Sequence, residues 1–179
     1  MHMARKVVGV GSVGTRCWIF LMAGRDTDDP LFLQFKQAQE SVLARHSPPS
    51  PQPSEGERVV TGQRIMQTSS DPFLGWYVHP ASGRHFYVRQ LRDMKGSLNP
   101  SGMDQQGLDA YAHLCGACLG RAHARSGHPE QLLGYVGTGS AFPDAIAAFA
   151  MRYADQNDRD YEAFMQALRD GRLPVLYDV

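Results

Sequence analysis

Val7-Val8-Gly9-Val10-Gly11-Ser12-Val13-Gly14-Thr15-Arg16-Cys17-Trp18-Ile19-Phe20-Leu21-Met22 is the stretch whose reading decides the fold. Two β-type runs, 6–8 and 17–22, flank glycines spaced G-x-G-x-x-G, where the missing Cβ opens backbone conformations that other residues avoid. The spacing alone also fits an ordinary structural turn. In a dinucleotide-binding fold the third glycine opens a helix whose N-terminus holds a pyrophosphate. Here β-branched and aromatic residues follow Gly14, which predicts a strand; a helix from Thr15 onward would restore the dinucleotide-dependent oxidoreductase reading. Strand, glycine loop and strand form the flap that kinases lay over nucleotide phosphates. Gly9, Gly11, Ser12 and Gly14 are the residues expected to contact those phosphates.

Working outward, 23–30 reads as a turn and Leu31-Phe32-Leu33-Gln34-Phe35-Lys36 as a third strand. A period of two puts Gln34 and Lys36 on one face, opposite Leu33 and Phe35. A lysine here supplies the point charge that a phosphate-binding flap needs; taken in isolation it is better explained as a solvated strand end, and the upstream glycine loop reverses that preference. An acidic partner for it would be Glu40 or Glu57, and Glu57 also suits the first turn of a helix on dipole grounds. Residues 44–56, with Pro48, Pro49, Pro51 and Pro53, predict a flexible connector. A modest amphipathic helix is expected over 56–69, and a hairpin of strands 73–78 and 85–91 turns through His79–Arg84. Gln90 and Leu91 then stand where a kinase hinge offers backbone groups to adenine. The expected class is α+β: a kinase-like lobe with a five-stranded antiparallel sheet over 1–93, then a helical lobe over 94–179. Its helices are expected at 103–125, 141–157 and 158–170, the last ending at Gly171.

The chain has 179 residues, 42% of them hydrophobic, and eighteen basic residues against eighteen acidic ones. That length can bury a real core, and the charge balance argues against nucleic acid or an anionic membrane surface as partner. The apolar run 18–23 is far short of the roughly 18 residues of a spanning helix. Glycines and Arg16 interrupt any signal-peptide pattern, and the odd count of three cysteines favours a reducing, cytoplasmic setting. The first strand begins almost at the initiator, which suggests a truncated domain.

Other features read as structural. Cys115-Gly116-Ala117-Cys118 is a CxxC flanked by His113 and His123, but on one helix those histidines stand about 15 Å apart and cannot share a tetrahedral ion. Helix-packing cysteines are expected instead, and no metal site is assigned. Asp155-Gln156-Asn157-Asp158 reads as a helix junction with a capping aspartate rather than a magnesium site. Arg121, His123 and Arg125 suit a helix C-terminus, or packing beneath an active site. Trp18, Trp76 and Tyr87 read as sheet core.

The words VVGVGSVGTRCW, LFLQFKQAQESVL, GQRIMQ, DPFLGW, FYVRQLRDMKGS, LGRAHARSGH and YADQNDRDYEAF, in this order, resemble the C-terminal part of the bacterial family called domain of unknown function 2252. The resemblance covers nearly the whole chain. It implies a kinase-like, circularly permuted arrangement whose Gly-Asp-x-His-x-x-Asn loop and Asp-Phe-Asp motif lie upstream of the glycine loop. Neither motif occurs in this sequence. The expectation is therefore the ATP-binding part of a phosphotransferase, with no catalytic residue of its own. Magnesium would join only if an upstream polypeptide supplied its ligands. The alternative is a non-catalytic protein-interaction module in which the glycine loop is only a turn.

Overall fold

The computed structural model describes residues 2–6, 13–26, 28–91 and 96–174. The chain is a mixed α+β protein of two compact units, Met1–Gly127 and His128–Val179. This division falls later than the expected boundary near residue 93, because the first long helix of the predicted helical half packs against the helix at 55–66.

Unit one holds five strands: β1 (His2–Arg5), β2 (Cys17–Ala23), β3 (Pro30–Ala38), β4 (Gly75–Val78) and β5 (His85–Gln90). They form one antiparallel sheet in the order β1-β2-β3-β5-β4. The strand after Gly14 is present as expected, and no helix starts at Thr15. β1 lies earlier than the predicted 6–8 run. Lys6 prolongs its ladder by donating its backbone N–H to Cys17 O at 3.0 Å, while Val7 and Val8 lie outside the described residues.

The β2–β3 turn closes through the backbone N–H of Gly24 to Asp29 O at 2.8 Å and of Asp28 to Asp26 Oδ1 at 3.0 Å. Such aspartates hydrogen-bond their own backbone and so favour turns. The β4–β5 hairpin turns at Gly83, whose φ of +63° suits a residue without Cβ. Between β3 and α1, residues 39–54 fold back on themselves, with Ser47 Oγ donating to Leu43 O at 2.7 Å.

Helix α1 (Glu55–Met66) begins at Ser54, whose side chain accepts from Glu57 N at 3.1 Å. Ser54 thereby satisfies one of the orphan donors of the first turn. A second is satisfied across the chain, as Glu55 N donates to His85 Nδ1 at 2.9 Å. Helix α1 packs through Gly56 and the fully buried Val60. A Cβ on Gly56 would overlap the carbonyl oxygen of Phe86, so glycine there is what lets helix and sheet approach.

After a 3-10 turn (Pro100–Gly102), helix α2 (Gln105–Ser126) starts at Asp104, which accepts from Gly107 N at 2.8 Å. Arg125 of α2 donates from Nη1 to Ile65 O at 3.1 Å and Gln67 O at 2.9 Å. The expected role of Arg125 at its own helix end becomes a cap on the end of another helix.

Unit two contains α3 (Pro129–Val136) and α4 (Ala141–Arg169). α3 was not expected, although it carries proline at its first turn and Gly137 at φ +70° just beyond. The expected break at 157/158 is corrected: α4 runs unbroken for 29 residues. Gln156 Nε2 donates to Asp160 Oδ1 at 2.8 Å and Arg159 Nη2 to Gln156 Oε1 at 2.9 Å, so one-turn side-chain pairs carry the helix through the supposed junction.

Candidate functional site

Directly paired residues of antiparallel strands share a face, so the register shows which side chains gather. Lys36 sits between Cys17 of β2 and Tyr87 of β5, while Gln34 sits between Ile19 and Arg89. Trp76 of β4 pairs with Tyr87 on that face. Helix α1 covers the same face, with the Arg64 guanidinium 6.0 Å from the centre of the Trp76 ring and Glu55 N bound to His85. The predicted placement of Gln34 and Lys36 together, opposite Leu33 and Phe35, agrees with the register.

This face is electropositive at its centre. Gln34 is 1% exposed, and its Oε1 accepts from Arg89 Nε at 3.1 Å. The Cys17 side chain also hydrogen-bonds to Gln34. Desolvation lowers the Lys36 pKa below its ordinary value, Arg89 lowers it further, and Cys17 partly offsets both. Burial pushes the Cys17 thiol up against the opposing pull of Lys36, Arg89, its bond to Gln34 and Lys6. The Tyr87 hydroxyl is likewise raised, mainly by burial.

Among the described residues no carboxylate forms an ion pair with Lys36. Glu55 pairs with Arg58 instead, and the backbone N–H of Glu57 is held by Ser54 at the start of α1. Beyond Val60, the α1 residue one turn further along the packed stripe is Gln63, a neutral amide. Two cations thus lie close together on a partly desolvated surface, an arrangement that attracts an anion.

Of the predicted phosphate-contacting residues, Gly9, Gly11 and Ser12 lie outside the described residues. Gly14 takes φ +78°, a conformation that favours glycine, immediately before β2. The strand entry is fastened to β3 by Gln37 N donating to Arg16 O at 2.8 Å. Gln90 is the last residue of β5 and Leu91 follows it, and the amides of both are engaged. Gln90 N donates to Asp71 Oδ2 at 2.7 Å and Leu91 N to Phe32 O at 2.8 Å. A base set against this edge therefore finds no free backbone donor at either residue.

Sequence reasoning missed Arg89, Gln34 as its acceptor, and Asp71. The available signal for Gln34 was a polar residue in the middle of an otherwise apolar strand. The set Trp18, Trp76 and Tyr87 divides between the two faces of the sheet. Trp18 joins Met3, Phe20, Phe35, Tyr77 and Phe86 around an apolar groove of about 260 Å³ on the face away from α1. Trp76 remains 44% exposed beneath Arg64. Cys115 and Cys118 lie on α2 as free thiols, the first exposed. Among the described residues no group of three or more His, Cys, Asp or Glu side chains is gathered to hold a metal ion, and no helix is long and apolar enough to cross a membrane.

A family model described as "Uncharacterized protein conserved in bacteria (DUF2252)" matches residues 2–167. No curated protein and no solved structure matches the chain.

Proposed function

Because the chain belongs to the bacterial DUF2252 family, we propose that it is the nucleotide-binding part of a kinase-like phosphotransferase. Lys36 takes the ATP phosphates on the α1-covered face of the sheet, and Gly9, Gly11, Ser12 and Gly14 are the further phosphate contacts that the glycine spacing predicts. The observation that carries this reading is the position of Lys36 on the third strand, beside Arg89 and without a carboxylate among the described residues. A point charge at that place offsets the charge of a bound triphosphate. The sequence has no Gly-Asp-x-His-x-x-Asn loop, so the acid that accepts the substrate proton and the magnesium ligands come from another polypeptide segment. The chain by itself binds nucleotide and does not transfer phosphate. Free cysteines on α2 fit a reducing cytoplasm.

The test is thermal denaturation of the purified chain with and without ATP. ATP raises the melting temperature of the wild type and leaves Lys36→Ala unmoved. An equal response of the two proteins, or none in the wild type, overturns the proposal.

A second reading, a non-catalytic interaction module, is favoured by the apolar groove on the opposite face of the sheet. Exposed aromatic side chains gathered in one place commonly mark a protein contact. A stable complex that forms without nucleotide and is lost in Trp18→Ser decides for it.

A further inference from the structure

The C-terminal end of α1, the turn at 69–72 and the end of β5 enclose a pocket of about 330 Å³. Its polar lining includes Gln63, Gln67, Ser69, Ser70, Asp71, Arg89 and Gln90. Lys36 is not part of it, but Arg89 and Gln90, both used in the nucleotide reading, are; Lys36→Ala therefore separates the two, since it removes the nucleotide response and leaves a ligand of this pocket bound.

The donors and acceptors in this pocket are unequal. Asp71 is occupied: its Oδ1 accepts from Phe73 N at 2.8 Å and its Oδ2 from Gln90 N at 2.7 Å. Arg89 uses Nε on the buried Gln34 oxygen, and that bond fixes the guanidinium plane. Its two Nη groups have no protein partner among the described residues. The same holds for the side-chain amides of Gln63 and Gln67 and the hydroxyls of Ser69 and Ser70. A pocket with one oriented guanidinium edge among neutral polar residues is built to receive an acceptor-rich ligand.

Charge narrows the class. Arg89 and Asp71 cancel within the pocket, so a dianionic phosphate would meet a single cation and a nearby carboxylate. A monoanionic carboxylate needs only the planar fork that Arg89 presents, which matches it with two parallel hydrogen bonds. The volume lies at the low end for ligand pockets, suiting a small metabolite.

We infer that this pocket binds a small polar molecule through its carboxylate, with Arg89 as anchor, Gln34 as the positioning residue behind it, and Gln63 and Gln67 as secondary donors. The probe is acetate, titrated into the full-length, 15N-labelled chain at constant ionic strength. The expected result is saturable shifts of the Gln63 and Gln67 side-chain amides and of the Ser69 and Ser70 backbone amides. Loss of the fork in Arg89→Lys weakens binding about tenfold, the scale of one charge-assisted hydrogen bond. Gln67→Ala, at an exposed position, weakens it severalfold without risk to the fold. Arg84→Ala, an exposed cation of the hairpin turn, leaves it unchanged. Absence of shifts in the wild type overturns the inference, as do equal affinities of wild type and Arg89→Lys, or equal weakening by Arg84→Ala. Inorganic phosphate shifting the same resonances at lower concentration than acetate overturns the carboxylate assignment.

Discussion

Arg89 Nε donates to Gln34 Oε1 across 55 residues of sequence, and the accepting side chain is 1% exposed. A buried amide of this kind is stable only while its partners are present. Gln34→Leu keeps the volume but leaves Arg89 Nε without its acceptor and the Cys17 sulfur without its amide donor. The expected loss is about 1–3 kcal/mol in chemical denaturation. Gln34→Glu retains an acceptor between the two cations and loses less.

The close approach of α1 to the sheet is a second point of sensitivity. Gly56→Ala places a methyl against the Phe86 carbonyl and the Trp76 side chain, and costs about 1–3 kcal/mol through forced separation of helix and strand. Val60→Ala opens a cavity at a position with 0% exposure and costs about 2 kcal/mol. Urea titrations followed by tryptophan fluorescence measure both.

Lys36 carries a stability cost at neutral pH. Its folded pKa is below the ordinary 10.5, so between the two values the unfolded chain holds more protons and stability rises with pH. Below that window the cost is fully present. Lys36→Met is therefore expected to melt higher than the wild type at neutral pH, with the gap narrowing as pH climbs toward 10.5. Cys17 and Tyr87 have raised values and act with the opposite sign in the alkaline range. Lys36 and Cys17 act on each other, so the pair is compared in a Cys17→Ala background, where the difference between the two melting curves reports the lysine. A gap that does not change with pH overturns this account.

Thiol reactivity separates the three cysteines. Cys17 is 1% exposed with a raised pKa, whereas Cys115 is exposed and Cys118 intermediate. The thiolate is the reactive form, so a thiol reagent should modify two cysteines in the native protein and reach Cys17 only on unfolding. Mass spectrometry of the labelled peptides identifies them.

Removal of the inter-helix cap should loosen α1 from α2. Arg125→Ala leaves the carbonyls of Ile65 and Gln67 to water, and because the pair is exposed the expected cost is about 1 kcal/mol. Hydrogen exchange in the last turn of α1 is the sensitive readout.

Strands β2 to β5, the hairpin at Gly83 and helix α1 were legible from local pattern, because alternation, turn residues and helical spacing act within a few positions of one another; the first strand was expected at 6–8 and lies at His2–Arg5. So was the face that Lys36 shares with Gln34, because the strand period is two. Where local signals competed, sequence reasoning failed. Asp158 looked like a helix start, yet the Gln156–Asp160 and Arg159–Gln156 pairs run through it. Gly134 inside 129–136 hid α3, although a proline and a glycine marked its ends.

No local pattern could contain which strands become neighbours. The sheet order places β5 beside β3 and leaves β4 at the edge, and that pairing alone brings Arg89 to Gln34 and Tyr87 to Lys36. Likewise only the fold sends Asp71 to the amide of Gln90 and Arg125 to the end of α1. Periodicity specifies a residue's face, because it depends on the backbone's own geometry. The neighbour across that face depends on contacts made over tens of residues, and so the lysine was visible in the sequence while its cationic neighbour was not.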